Sequence, residues 1–233
     1  MKVELIDHMG SDLSVVNAAR VSFDKESDWE IVADEEIRDG KLYFVKHRKT
    51  ISTKDQKLIS YLAKHNHWSP FAHAFASFRI KAPIFVARQL VKHQVGLAWN
   101  EVSRRYVDSE PEFYTPDVWR KRADNVKQGS SEEGVNLYAE VDALYLPEKI
   151  NEYALRAYNN MLNVGVCPEQ ARMVLPQSTM TEWIWSGSLF AFARVCKLRL
   201  DPHTQKETQV VAQMINDHMA DLFPVSWKAL QDG

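Results

Sequence analysis

The sequence is poor in cysteine and has no excess of either charge. Its 233 residues include two cysteines, Cys167 and Cys196, which excludes a disulfide framework, and neither belongs to a Cys-x-x-Cys pair. A structural zinc site needs closely spaced Cys and His pairs, which these cysteines do not supply. The 29 Lys and Arg residues nearly balance the 31 Asp and Glu residues, for a formal charge of −2. A general nucleic-acid-binding protein should be distinctly basic, so we expect no nucleic-acid partner.

The chain also lacks long apolar runs. No stretch approaches the roughly 20 apolar residues that a membrane-spanning helix needs. The first residues carry Asp7 and Asp12 where a signal peptide would need an apolar run. These absences predict a cytoplasmic, reducing compartment and no membrane partner.

Aromatic residues, in contrast, are plentiful. They make up 11% of the chain, with 7 Trp, 8 Tyr and 10 Phe, beside 45% hydrophobic and 26% charged residues. The last two values are ordinary for a globular protein and exclude disorder for most of the chain. Aromatic side chains build cores, and they also stack on planar ligands. The composition therefore predicts a globular protein that is suited to binding a flat ligand.

Hydrophobic periodicity predicts mostly helices with several short strands. The predicted strands are 2–6, 31–37, 42–45 and 74–80, the middle two joined at Asp39-Gly40. The predicted helices begin at Thr53, whose partner Gln56 resembles a capping box, and at Pro83, continuing past Val91 to His93. Further helices cover Ile150–Leu162, a short segment from Pro168, residues 188–197, and a last helix capped by Asp201-Pro202 that runs to Phe223.

Strands that do not alternate strictly with helices favour an α+β fold over a doubly wound sheet. We expect one helix-rich domain over residues 1–233, with a small, mostly antiparallel sheet. Residues 107–150 form a variable insertion or loop within it, because they are the least regular part of the chain. The polar run KQGSSEEG at 127–134 predicts a mobile surface loop there.

The densest polar segment is RQLVKHQVGLAWNEVSRRY, residues 88–106. Guanidinium groups suit bidentate capture of phosphate, and Ser, Asn and Gln side chains can complete such a site. A solvated helix face followed by a polar loop is the competing interpretation. The apolar neighbours Leu90, Val91, Trp99 and Tyr106 favour a site, since charges between apolar positions need partners.

This segment resembles the signature of the flavin-dependent thymidylate synthases. The family pattern is Arg-His-Arg, seven residues, then Ser, and it ends in Asn-Glu-x-Ser-x-Arg-Tyr, which NEVSRRY at 100–106 matches in full. The start departs from the pattern, since KHQ at 92–94 replaces Arg-His-Arg. Eight residues (103 − 94 − 1) separate it from Ser103. Lys92 can meet a phosphate only as a point charge, and Gln94 removes a cation.

Four other segments resemble family motifs in the same order. They are AARVSF at 18–23, HNHWSPFAHAFASFRI at 65–80, EQARMVLP at 169–176 and CKLRLDPHTQ at 196–205. Two departures stand out: Ala72 replaces an acid that the family often carries, and Ser188 replaces a flavin-contacting Asn. Five motifs in one order are far more specific than any one of them alone.

The resemblance implies an FAD-dependent enzyme, a methyltransferase that converts dUMP to dTMP. Methylenetetrahydrofolate would donate the carbon and NADPH the reducing equivalents, and the family uses no enzyme nucleophile. The protein then contributes positioning and electrostatics. The family also implies a homotetramer whose sites are shared between subunits.

The resemblance assigns the candidate site residues. Catalytic roles fall on Arg199, Ser103 and His67, with Arg199 polarising the uracil carbonyl and His67 near the folate and nicotinamide. The residues implied to bind dUMP are Gln89, Lys92, Glu101, Ser103, Arg104, Arg105, Arg172 and Arg199. The residues implied to bind FAD are Ser22, Ser69, Lys92, His93, Gln94, Asn100, Glu101, Ser188 and Arg194. No metal is expected.

Several of these residues have plainer interpretations. His65, His67 and His73 could suggest a metal site, but no carboxylate accompanies them closely, and we favour other roles. The role of Arg172 could be limited to an intrahelical ion pair with Glu169, three residues earlier. Asp201 is favoured for local hydrogen bonding, the ordinary role also of His203. Ser103 is favoured as a phosphate-binding hydroxyl over a nucleophile, since no Ser-His-Asp order accompanies it.

Two alternative functions remain open on the sequence. The KHQ triplet and Ser188 are compatible with a related pyrimidine C5-modifying enzyme that methylates dCMP or installs a hydroxymethyl group. A catalytically inactive flavin- or nucleotide-binding regulator is the alternative from a different class.

Overall fold

The structure is a computed structural model, and it describes residues 1–38, 41–107, 109–124 and 129–233. The strands are β1 (Lys2–Met9), β2 (Glu30–Arg38), β3 (Lys41–Thr50), β4 (Phe75–Pro83), β5 (Leu97–Glu101), β6 (Arg120–Arg122), β7 (Ser130–Gly134) and β8 (Met180–Ser188). The helices are α1 (Asp12–Arg20), α2 (Thr53–Lys64), α3 (Ile84–Leu90), α4 (Leu137–Glu140), α5 (Pro147–Asn163), α6 (Pro168–Ala171), α7 (Leu189–Arg199), α8 (Lys206–Leu222) and α9 (Pro224–Asp232). Helices packed on a small antiparallel sheet confirm the predicted α+β class.

The main sheet has four antiparallel strands in the order β1-β4-β8-β5. One face is apolar because alternate residues of the central strands point the same way. Phe78 pairs across the strands with Trp185, and Ile80 pairs with Trp183. All four side chains are buried. Phe192 of α7 packs edge-on against both Phe78 and Trp185, so α7 lies directly on this face.

Most predicted elements are present close to their expected bounds. Strand β1 covers 2–6, β4 covers most of 74–80, and β2 and β3 pair as the expected antiparallel hairpin. The turn predicted at Asp39-Gly40 lies outside the described residues. Helices α5, α6 and α7 occupy the predicted positions, and α6 passes into a 3-10 turn before Pro176.

One predicted helix cap and two predicted helix ends are wrong. The cap of α2 is Ser52 rather than Thr53, since Ser52 Oγ accepts from the backbone N–H of Asp55 at 3.1 Å. Helix α3 stops at Leu90, so the residues that follow it share no helix face with it. Helix α8 begins four residues after Pro202, because the Asp201 carboxylate accepts from the backbone N–H of His203 in a separate turn.

A further helix, α9, follows the predicted last helix at the C-terminal end. Pro224 lacks the N–H that would continue α8, and it starts α9. The N-terminus of α9 is capped from far away in the sequence. Asp12 is buried, and its carboxylate accepts from the backbone N–H groups of Val225 at 3.0 Å and Ser226 at 2.8 Å.

The predicted insertion contains regular structure. Within the run predicted as a loop at 127–134, residues Ser130–Gly134 form β7 and pair with β6. The paired strands override the loop prediction, which relied on polar composition alone. That the whole chain forms one domain stays a prediction.

The structure also describes the two cysteines and bears on the lack of long apolar runs. Cys196 is buried, and burial raises the pKa of its thiol, whereas Cys167 is exposed. Across the described ranges, no helix is long and apolar enough to cross a bilayer.

Candidate functional site

One polar and one apolar cavity, both formed by described residues, lie near the sequence motifs. The polar cavity is about 490 Å³ and is lined by Gln89, Arg120, Gly129, Ser130, Arg199, His203, Thr204 and Gln205. The apolar cavity is about 550 Å³, and its walls include Trp68, Ala72, Phe75, Val95, Gly96, Leu97, Ala98, Ser186, Gly187, Ser188, Phe190, Ala191 and Arg194.

Helix α7 supplies side chains to both cavities. Ser188 ends β8 and caps α7, because its Oγ accepts from the backbone N–H of Ala191 at 3.2 Å. The helix then carries Arg194 at the apolar cavity and Arg199 at the polar cavity. Arg199 lies in the last turn, where the helix dipole favours a cation.

Arg199 is held by two hydrogen bonds. Its Nε donates to Nε2 of His93 at 2.9 Å, and its Nη2 donates to the backbone oxygen of Gln89 at 3.2 Å. A guanidinium has no acceptor, so His93 accepts at Nε2 and its imidazole is neutral. Burial lowers the pKa of His93, and the charges of Arg199 and Arg194 lower it further. Burial also lowers the pKa of Arg199.

The side chain of Gln89 is fixed at the edge of the polar cavity. Its amide nitrogen donates to Oε1 of Gln205, and its Oε1 accepts from the hydroxyl of Thr208 at 3.1 Å. These bonds tie α3 to the first turn of α8. The structure therefore brings Gln89, His93 and Arg199 together, as three of the sequence-predicted residues.

The backbone at the start of β5 packs closely against β8 at the bottom of the apolar cavity. A side chain at Gly187 would bring its Cβ within 2.6 Å of the backbone oxygen of Gly96. Gly96 itself has φ +77°, a conformation that glycine adopts at little cost. Trp68, Phe75 and Phe190 form aromatic walls around this floor. The space suits a flat, largely apolar ring system, with Ser188 and Arg194 at its polar edge.

Several side chains of the NEVSRRY motif form hydrogen bonds with nearby residues of the same chain. Glu101 accepts from the hydroxyl of Thr181 at 2.7 Å, and Ser103 Oγ accepts from Nε of Arg105 at 3.1 Å. Arg104 Nη1 donates to the backbone oxygen of Ser109 at 2.7 Å. None of the motif residues lines the polar or the apolar cavity.

The remaining predicted residues also lie away from both cavities. Arg172 is exposed, and its Nε donates to the carbonyl oxygen of Glu169 at 3.2 Å rather than to the carboxylate. The other predicted residues that are exposed and line neither cavity are Ser22, His67, Ser69, Lys92, Gln94 and Asn100. Within one chain, some of the predicted site residues therefore lie at the two cavities, and others lie on the surface away from them.

Most residues that line the two cavities were not predicted as site residues, and three of them carry polar side chains that matter for the polar cavity. Arg120, Ser130 and Gln205 line the polar cavity. Arg120 and Ser130 belong to the insertion, which matches none of the five motifs. Gln205 lies inside CKLRLDPHTQ, so the motif itself was the signal that could have found it.

Comparisons with known proteins place this geometry in a family. Residues 4–225 match the family described as thymidylate synthase complementing protein. The chain is 37% identical over 230 residues to the flavin-dependent thymidylate synthase of Thermus thermophilus, covering 99% of this chain and 75% of that protein. It is 32% identical to the enzyme of the same name from Pseudothermotoga lettingae, covering 97% of this chain and 88% of that protein.

A solved structure has the same fold. It is the UMP/dUMP methylase PolB of Streptomyces cacaoi, bound with 5-Br dUMP. The TM-score is 0.79 and the identity 29%, over 99% of this chain and 94% of that chain. The complex of PolB with 5-Br UMP gives a TM-score of 0.78. Sequence and fold agree, and the chain belongs to the flavin-dependent thymidylate synthase family.

Proposed function

We propose that this protein methylates dUMP to dTMP, with FAD as cofactor, methylenetetrahydrofolate as carbon donor and NADPH as reductant. The reaction balances as dUMP, methylenetetrahydrofolate, NADPH and a proton giving dTMP, tetrahydrofolate and NADP⁺. The observation that carries the proposal is that an aromatic-walled cavity and a donor-rich cavity share α7, with Arg199 and His93 bonded beside them.

The residues of the apolar cavity fit a flavin. The missing side chains at Gly96 and Gly187 let the protein pack closely beneath the cavity, and the aromatic walls suit an isoalloxazine ring. Arg194 would pair with an anionic group of the cofactor, and the family membership supplies the identity of that cofactor. Held there, FAD would supply the one-carbon transfer and the hydride chemistry of the reaction.

The polar cavity suits the pyrimidine. Arg199 can donate N–H groups only, which matches a uracil carbonyl oxygen, and it would stabilise the negative charge that develops in the ring. Gln89 offers both a donor and an acceptor, which suits the mixed edge of uracil. Because the NEVSRRY residues do not line this cavity, we propose that they complete the site of a neighbouring subunit.

A homotetramer with shared sites would bring Arg104, Arg105 and Arg172 to the nucleotide phosphate, joined by Lys92 as a point charge. Size-exclusion chromatography with light scattering tests the assembly. A stable monomer that still binds FAD would exclude the shared site.

The activity is tested by release of tritium from the 5-position of labelled dUMP, with folate and NADPH present. We expect release, and we expect none when either cosubstrate is omitted. Labelled UMP and dCMP are run in parallel, since PolB is described as a UMP/dUMP methylase. Release from dCMP alone would indicate the substrate variant, and bound FAD and dUMP without release would indicate the regulator.

A further inference from the structure

We propose that the β6–β7 hairpin forms a wall of the nucleotide pocket, and that Arg120 contacts a ring carbonyl oxygen and selects uracil over cytosine. The identification of the ligand as a pyrimidine nucleotide rests on the proposed function. The role of the hairpin follows from its own contacts.

The hairpin lies on the same cavity as two of the residues that the motifs assign to the nucleotide. Arg120 of β6 and Ser130 of β7 line the polar cavity together with Gln89 and Arg199. They reach it from opposite strands of one hairpin, so the cavity wall is a paired element of secondary structure.

Arg120 is anchored on two sides. Its Nε donates to the hydroxyl of Ser130 at 2.7 Å, and its Nη2 donates to Oε1 of Glu207 at 2.7 Å. Its side chain is 21% exposed, so the guanidinium keeps access to the cavity. Within the described ranges no partner is seen for Nη1, which leaves donors for a ligand.

Glu207 determines which ligand group Arg120 favours. Glu207 is 5% exposed, and its second carboxylate oxygen is buried with no partner among the described residues. The carboxylate offsets the charge of Arg120, which weakens its attraction for a phosphate dianion. The N–H donors remain, so a neutral acceptor such as a ring carbonyl is the better match.

The same chemistry discriminates between bases. Uracil carries an acceptor oxygen at ring position 4, whereas cytosine carries an amino group, which donates. Arg120 and Arg199 present donors only, so an amino group facing either of them would be left unpaired. A donor-only wall therefore favours dUMP over dCMP.

The test measures the Kd of dUMP and of dCMP by calorimetry on the purified full chain. Arg120→Gln should raise the Kd of dUMP by about tenfold. The Kd values of dUMP and dCMP should also become more similar, because the amide oxygen of glutamine can accept a hydrogen bond from the amino group of cytosine. Lys121→Gln is the matched control, since it removes one positive charge from the same strand, where Lys121 pairs with exposed Glu133. We expect the control to bind both nucleotides as the wild type does.

A second set of variants separates binding from folding, because Arg120→Gln leaves the buried Glu207 charge unpaired. The double variant Arg120→Gln/Glu207→Gln removes that charge and should recover thermal stability without recovering the base preference. Ser130→Ala should weaken dUMP binding, whereas Ser131→Ala, which lies outside the cavity, should not. A lower Tm with an unchanged ratio of Kd values would overturn the inference and leave Arg120 a structural residue.

Tritium release tests the proposed function, and the Kd values test the role of Arg120, so the two can fail independently. Tritium release by the wild type with wild-type Kd values in Arg120→Gln would overturn the inference alone. Nucleotide binding without release would overturn the proposed activity, and the ratio of Kd values would still decide the role of Arg120. A wild type that binds no pyrimidine nucleotide would overturn both.

Discussion

Arg199 donates its Nε–H to Nε2 of a neutral His93 at 2.9 Å, so a permanent cation is held without a carboxylate. An acidic partner would fix the guanidinium equally well but would cancel much of its charge. A neutral imidazole leaves that charge available to a ligand in the polar cavity. This arrangement leads to the first two predictions.

Arg199→Ala should lower kcat/KM for dUMP by about 30-fold or more, which corresponds to about 2–4 kcal/mol of transition-state stabilisation. The reason is the loss of the charged donor at the pyrimidine. Lys197→Ala is the control, since Lys197 is an exposed cation in the same helical turn. Steady-state kinetics checks both variants, and normal turnover by Arg199→Ala would remove Arg199 from the mechanism.

His93 should give the enzyme an acid limb in its pH profile. The pKa of His93 lies below the ordinary 6.5, so the imidazole is neutral at pH 7. It becomes protonated as the pH falls through this lowered pKa. Protonation removes the acceptor of Arg199 Nε, and kcat/KM should fall. In His93→Gln the amide oxygen accepts without titrating, so this limb should disappear. An identical limb in both proteins would assign it to another group.

Asp55 should contribute to stability through the contact between α1 and α2. Burial raises its pKa, but hydrogen bonds from one arginine and two serines outweigh burial and bring the pKa below the ordinary 3.8. The donors are Arg20, Ser27 and Ser52. A depressed carboxyl pKa stabilises the fold above the ordinary value, and this contribution is lost as the pH falls through the lower, folded value.

The matching measurement is urea unfolding at pH 7 and near pH 3. At pH 7, Asp55→Asn should lower the free energy of unfolding by about 2–3 kcal/mol, and the deficit should shrink at low pH. Glu152→Gln is the comparison, because Glu152 also pairs with two cations but lies on the surface of α5. It should change stability by less than about 1 kcal/mol.

Asp12 should be required for docking of the C-terminal helix. Asp12→Ala leaves the buried backbone N–H of Ser226 and the half-buried N–H of Val225 without acceptors. We expect a loss of about 2 kcal/mol in the free energy of unfolding. Asp12→Asn keeps one acceptor oxygen and should lose less. Denaturant unfolding with hydrogen exchange of residues 224–232 checks this, and equal protection in Asp12→Ala would contradict it.

The sequence predicts two of the four strands of the main sheet, β1 and β4, because alternating apolar and polar residues indicate a half-buried strand. It does not predict β5 and β8, which complete that sheet. Through the family motifs it also predicts Gln89, His93 and Arg199 as site residues, although it assigns His93 to FAD and the other two to dUMP. It does not predict the Arg120–Glu207 pair, since the two residues are 87 positions apart and no local pattern links them. Ser188 illustrates a different difficulty: a residue predicted to bind the cofactor also caps α7, and one sequence position cannot separate the two roles. The roles of the individual site residues stay predictions.

Helix α7 fixes the spacing between the two cavities. Arg194 and Arg199 are five residues apart, which corresponds to about 7.5 Å along the axis and a turn of about 140° around it. Both arginines leave one short rigid rod, so a tilt that helps one side chain reach its ligand displaces the other. If a ligand in one cavity tilts α7, the affinity of the other cavity should change as well, and such a linkage would act equally in both directions.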